Sequence, residues 1–354
     1  MLSDKPIQER VRLAEQLRGF SRQIAEEVTE EFLVQHPDWV TRYGGRGRRL
    51  GIEDAIYHQD FLAAAIEIGE VSAFGDYLRW TAGVLGSREI ASSSLREYVE
   101  LISRGLWSRL PAPTATEVAE FVQFALDLAL ADGPRARNAA ANSGELGAVQ
   151  ALYLQTILHG QRQAAVGIAI ETVRQGHTLT DIYTDVLQVS MYEIGRLWET
   201  NCITVAQEHM ATAITQYVIA HLYPLIQPVQ PPRGRMVITG VEGEQHQVGP
   251  NIVADVLESA GWDVRFLGTN TPPAGVLQVI EEHRADVLGI SATMLFNLPA
   301  VRRLIAEARA VPGRNLRVIL GGGAFRSTPG LHEKLGASGI ALDVRAALRL
   351  AATL

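Results

Sequence analysis

The spacing of apolar residues changes once along this chain of 354 residues, at the Pro-rich stretch 228–234, and nothing else in the sequence constrains the fold as much. Before it, apolar positions recur with a helical period of about 3.6, as in VRLAEQLRGFSRQIAEEV, DFLAAAIEIG and LREYVELISRGLW, which gives helices one buried face. After it, short β-branched runs at 236–241, 263–268, 285–292, 316–322 and 338–343 read as strands. Helical stretches at 250–260, 273–283, 298–310, 327–335 and 344–353 alternate with them, and Pro250 fits the first position of its helix. Strands joined by helical crossovers over 234–354 predict a doubly wound parallel sheet of five strands. Such sheets bind ligands beyond the carboxyl ends of their strands.

The helical part divides further. Residues 1–130 read as an all-α N-terminal domain, in which Tyr43 to Arg49 is expected as a solvated loop and Pro111 to Thr116 as a break before one more helix, EVAEFVQFALDLALA. The small polar stretch from Asp132 to Gly144 predicts a linker. From 145 to 227 four helical segments follow, separated by turns at Gly160, Gly176 to His177 and Thr200 to Ile203, so a four-helix bundle is expected. Thr204-Val-Ala-Gln207 opens its last helix as a capping box.

Composition narrows the partners. A net charge of −7 carries no basic footprint for direct nucleic-acid binding. The single cysteine, Cys202, excludes a disulfide framework within the chain and a zinc site needing two thiolates. No run of 18 apolar residues and no apolar signal-type stretch near Met1 are present, so no membrane contact and a cytoplasmic location are expected.

The residues able to carry chemistry cluster at the predicted carboxyl ends. After the first strand comes Glu242-Gly-Glu-Gln-His246-Gln-Val-Gly249, after the third Ser291-Ala-Thr293, and after the fourth Gly321-Gly322-Gly323. Hydroxyls and bare backbone at neighbouring strand ends suit a long ligand lying against the sheet.

Glu244-x-His246-x-x-Gly249, 41 residues, Ser291-x-Thr293, 27 residues and Gly321-Gly322 together resemble the cobalamin-binding signature Asp-x-His-x-x-Gly, Ser-x-Leu, Gly-Gly. The departures are Glu for Asp at 244 and Thr for Leu at 293. The resemblance implies a flavodoxin-like (Rossmann-like) domain, with His246 replacing the cofactor's own base as the lower cobalt ligand and the nucleotide tail lying beside Ser291, Thr293 and the Gly321-Gly322 pair. Imidazole suits cobalt, and the Glu244 carboxylate can accept its other N–H.

The preceding bundle is then implied to be a helical cap over the corrin. Trp198, followed ten residues later by Glu208-His209, looks like the Trp, Glu-His pattern of adenosylcobalamin-dependent photoreceptor regulators, in which these residues line the pocket of the upper ligand. The histidine that follows the Trp in those regulators is Glu199 here. The resemblance thus implies a cobalamin-binding sensor, not an enzyme, that uses adenosylcobalamin to detect light and acts as a homo-oligomer or on a signalling partner. The alternative is a corrinoid carrier of methyl groups between methyltransferase subunits, loaded with methylcobalamin. Residues 1–130 match no named family and are assigned to output or assembly; Trp39, Tyr57 and His58 on their helices are expected to pack rather than to hold a second chromophore.

Overall fold

The computed structural model describes residues 2–131, 144–227, 229–311, 315–326 and 328–354. The predicted linker from Asp132 falls, up to residue 143, outside them. The chain forms two compact units, Met1–Ala136 and Arg137–Leu354.

The first unit is helical: α1 (Ile7–Gln35), α2 (Pro37–Ile68), α3 (Val71–Gly86), α4 (Ser92–Trp107) and α5 (Ala112–Ala131). The loop expected at Tyr43 to Arg49 is corrected. α2 runs through it, and only Gly44, at φ 56° and ψ −148°, leaves helical geometry. A kink at a single residue needs only the backbone freedom of glycine, and the arginines become solvated helix positions, with Arg49 bonded to Glu53 at 3.0 Å and Arg42 to Glu89 at 3.4 Å. The expected break is also shorter, since α5 begins at Ala112 and takes Pro113 into its first turn, where no N–H is needed. Leu17, Ile24, Leu62, Ile66, Leu78 and Leu101 are core residues. His58 is buried among them and its Nδ1 lies 2.7 Å from the Tyr77 hydroxyl. Burial pulls its imidazole down to about 4. Trp39 packs edge-on to Phe32, while Tyr57 is exposed.

The second unit opens with the bundle. α6 (Gly147–Leu158) and α7 (Arg162–Arg174) are followed by one long rod made of α8 (Leu179–Asp181), a π-helix (Ile182–Gln188) and α9 (Val189–Glu199), and then by α10 (Val205–Leu222). The Thr204 capping box forms as expected: Gln207 N donates to Thr204 Oγ1 at 3.3 Å and Thr204 N donates to Gln207 Oε1 at 2.9 Å.

The sheet holds β1 (Arg235–Gly240), β2 (Asp263–Phe266), β3 (Val287–Ser291), β4 (Arg317–Gly321) and β5 (Gly339–Ala341), all parallel, in the order β2-β1-β3-β4-β5. The crossovers are α11 (Val248–Ser259), α12 (Pro273–His283), α13 (Leu298–Arg309) and α14 (Leu331–Lys334), and α15 (Val344–Ala351) closes the chain. α11 starts at Val248, so Pro250 stands third rather than first, and α14 covers only part of its predicted span.

Bundle and sheet share one core. Val248, Ile252 and Val256 of α11 and Val344 of α15 are buried in the same apolar cluster as Tyr153, Ile157, Leu187, Ile194 and Val218. Polar contacts surround it. The Tyr183 hydroxyl donates to Asp255 Oδ2 at 2.7 Å, Arg345 reaches Asp185 at 2.7 Å and Thr184 at 3.2 Å, and Val344 N donates to Gln188 Oε1 at 3.3 Å. All the bundle partners in these bonds lie in the π-helix, whose wider turn aims them at α11 and α15. Further along the rod, Arg326 bonds the Tyr192 hydroxyl at 3.0 Å.

Candidate functional site

β1 delivers the chain to a tight turn at the carboxyl edge of the sheet. Glu244 N donates to Val241 O at 2.9 Å across it, with Gly243 at φ 84°, a conformation that glycine enters freely. The loop after β2 holds this turn from one side, Gly243 N donating to Asn270 Oδ1 at 2.8 Å. The strand ends align in one register row, Gly240 beside Ser291 and Ser291 beside Gly321.

The turn presents Glu244 inward and His246 outward. Glu244 is 1% exposed, and its carboxylate accepts three N–H groups: the His246 amide at 2.7 Å and His246 Nδ1 at 2.6 Å on Oε1, and the Thr293 amide on Oε2. Burial pushes its pKa up, but the bonds and charge of His246 and the Thr293 amide together outweigh that and hold the carboxyl below its usual range. An ionised carboxylate only accepts, so Nδ1 carries the proton and Nε2 offers a lone pair on a ring that is 56% exposed. Burial would lower the His246 pKa; Glu244, with help from Glu208 in the bundle, raises it above the ordinary value.

Both departures from the signature have a physical account. The extra methylene of Glu244 lets one carboxylate span from its own loop to the start of the loop after β3. At 293 only the backbone amide is used by Glu244, so that contact does not depend on the side chain.

The glycines do two different things. A Cβ on Gly322, at φ 102°, would lie 2.2 Å from Ala292 O, so this glycine allows the ends of β3 and β4 to interlock. A Cβ on Gly249 would meet nothing within 4 Å, which leaves open space at the start of α11, three residues from His246.

From the bundle, the capping box sets Glu208 and His209 in the first turn of α10. Glu208 accepts from Thr212 Oγ1 at 3.0 Å and is close enough to His246 to act on its charge. His209 bonds Glu208 through Nδ1, and its side chain is 76% exposed. Trp198 is half-buried at the end of α9, beside Glu199. Sequence reasoning missed Asn270, Tyr183 and Asp255, which have no periodic or motif signal. Among the described residues no group of three or more His, Cys, Asp or Glu side chains could hold a metal ion, so a metal at the exposed Nε2 of His246 would need most of its ligands from elsewhere. That suits a metal whose other ligands come with a macrocycle, and the open space at Gly249 suits a large group over the loop.

A family model described as B12 binding domain matches residues 234–351, and a second, also described as B12 binding domain, matches 149–223. Dimethylamine corrinoid protein 3 of Methanosarcina acetivorans is 30% identical over 170 residues, 48% of this chain and 79% of that protein. Dimethylamine corrinoid protein 1 of the same organism is 29% identical over 179 residues, 50% of this chain and 83% of that protein. The chain belongs to the family of cobalamin-binding corrinoid proteins. The structure of the Methanosarcina barkeri monomethylamine corrinoid protein has the same fold, with a TM-score of 0.52 at 20% identity over 58% of this chain and 98% of that one. The relatives named here are corrinoid proteins, whereas Trp198 and Glu208-His209 led to the expectation of light-sensing regulators. Among the described residues no helix is long and apolar enough to cross a membrane.

Proposed function

We propose that this protein is a corrinoid carrier that presents a methyl group to separate methyltransferase partners, and is not itself the catalyst. The observation that carries the reading is the Glu244–His246 arrangement, with Nδ1 bonded and Nε2 outward, in a chain whose relatives are named as methylamine corrinoid proteins. It replaces the light-sensor expectation, which rested on the bundle residues, because the relatives are named as corrinoid proteins.

In this reading His246 Nε2 is the lower cobalt ligand, and Glu244 fixes its ring and raises its basicity. Gly249, Ser291, Thr293, Gly321 and Gly322 border the nucleotide tail, and Trp198, Glu208 and His209 face the upper side. When bound, cobalamin supplies a cobalt centre that accepts and gives up a methyl group. The chain's own work is to hold that centre, set the proton on Nδ1 and cover the upper face with an apolar bundle. The division into 1–130, 145–227 and 234–354, a cytoplasmic location, and an assembly or partner-docking role for residues 1–130 belong to the same proposal.

The test is equilibrium binding of methylcobalamin and adenosylcobalamin, with size-exclusion chromatography in the dark and after green light. The expected result is methylcobalamin bound at least as tightly as adenosylcobalamin, with an unchanged elution volume in light. Adenosylcobalamin bound tenfold more tightly, with a light-driven change of size, overturns the carrier reading.

A further inference from the structure

Gly195 stands inside α9, where glycine is at a disadvantage to alanine because it gives the unfolded chain more freedom and the helix no side chain. Packing within the chain does not ask for it, since a Cβ built at Gly195 would meet nothing within 4 Å. Nor does the residue simply face bulk solvent. Gly195 is half-buried, whereas Gly167 of α7, which also has no neighbour at its Cβ position, is exposed.

Its neighbours along α9 show what the open space faces. Met191 is turned to α10, where its sulfur accepts from Thr215 Oγ1 at 3.3 Å. Tyr192 is turned to the loop after β4 at the carboxyl edge of the sheet, where its hydroxyl accepts from Arg326 at 3.0 Å. Successive residues of a helix are rotated by about 100°, so Gly195 lies between these two directions, about 40° from Met191 and about 60° from Tyr192. It therefore looks into the gap between α10 and the strand ends. Trp198, half-buried and within about 20° of Met191 around the same helix, stands one turn further along. The first turn of α10 holds Glu208 on the other side, close enough to His246 to act on its charge.

We infer that Gly195 is a specificity-determining residue: it keeps clear the space above the cobalt site, and the size of the side chain at 195 sets how large an upper group the protein accepts. The inference rests on the proposed reading, in which the bundle covers the upper face of the corrin. A methyl group needs little of this space and a 5′-deoxyadenosyl group needs much of it, so filling the notch discriminates between the two.

The experiment uses the full chain, kept in the dark, as wild type, Gly195→Ala and Gly195→Leu. Measured are the melting temperature without cofactor and the Kd values for hydroxocobalamin, methylcobalamin and adenosylcobalamin. Without cofactor, Gly195→Ala should melt about 2–4 °C higher, because a better helix former enters at no steric cost. In Gly195→Leu the Kd for adenosylcobalamin should rise at least about tenfold, while the other two stay within about threefold of wild type. Gly195→Ala should show the same order with a rise of about threefold, which keeps the comparison available if Gly195→Leu does not fold. Equal losses for all three cobalamins overturn the inference, because the space then belongs to the corrin ring. Unchanged Kd values for all three overturn it as well, and so does a lower melting temperature for Gly195→Ala, which would make the glycine a packing requirement. The carrier reading is decided separately, by the ratio of the wild-type Kd values, whereas this inference is decided by how substitution changes that ratio.

Discussion

One oxygen of Glu244 fixes both the main chain and the ring of His246: Oε1 is 2.7 Å from the His246 amide nitrogen and 2.6 Å from Nδ1. The other oxygen is bonded to the Thr293 amide across the sheet edge. The direction in which Nε2 points is therefore set by the end of β3 as well as by the turn itself.

Glu244→Gln keeps the shape but offers one acceptor oxygen for three donors and removes the charge. Cobalamin affinity should fall by about 10–100-fold, the range seen when a residue orienting a metal-bound histidine is lost. Titration of the corrin absorption checks this, and an unchanged Kd would remove Glu244 from its assigned role.

Ligation needs Nε2 free of a proton, and Glu244 raises the His246 pKa above its ordinary value. Nitrogen ligation should therefore strengthen as pH rises through that elevated pKa and level off above it, with the loss on acidification starting at a higher pH than for an unperturbed histidine. Absorption spectra of the bound cofactor from pH 5 to 9 report the midpoint, which should drop in Glu244→Gln.

Gly322→Ala and Gly249→Ala should separate folding from binding. At Gly322 the new methyl meets Ala292 O at 2.2 Å in a positive-φ residue, so stability should fall by at least about 1–3 kcal/mol. At Gly249 it meets nothing, so the urea midpoint should hold while cobalamin binding weakens. Equal urea midpoints for the two variants would contradict this.

The first unit carries its own pH dependence. His58 has a folded pKa of about 4 against an ordinary 6.5. It is neutral when folded and free to charge when unfolded, so stability is lost as pH falls from about 6.5 toward 4. Each pH unit in that window costs about 1.4 kcal/mol, so the loss at pH 5 relative to pH 7.5 is about 2 kcal/mol. Denaturant unfolding at both pH values should show a shallower dependence in His58→Gln than in the wild type.

Asp255 works in the other sense. Burial raises it to about 6, partly offset by the Tyr183 hydroxyl. Its folded form binds a proton more readily than its unfolded form, so its contribution improves as pH falls from about 6 toward 4. Tyr183→Phe strips a partner from this buried carboxyl and should destabilise by about 1–3 kcal/mol at pH 7.5, and by less at pH 5. Calorimetry at the two pH values reads the difference.

The strands, crossover helices and bundle segments are legible in the sequence because each depends on local periodicity. Thr204 and Gln207 declare their capping box for the same reason, since both partners lie within one turn. The kink at Gly44 reads as a loop because a cluster of glycines and arginines looks alike on a bent helix and on a coil. The His246 turn is visible as spacing, but its supports are not. Asn270 and the Thr293 amide reach it only because β2 and β3 flank β1, and one sequence does not reveal which loops a sheet order brings together. The direction of the His209 ring is equally hidden, because its neighbour Glu208 competes for it, a choice that helix geometry makes and residue type does not.

The apolar cluster that joins the bundle to α11 and α15 decides where this protein can be cut. A fragment starting at residue 234 would keep every strand and every signature residue, yet Val248, Ile252, Val256 and Val344 would become an uncovered seam prone to self-association. The smallest piece suited to grafting onto another scaffold is the whole stretch from 144 to 354, whose two halves would have to travel together and be diversified together.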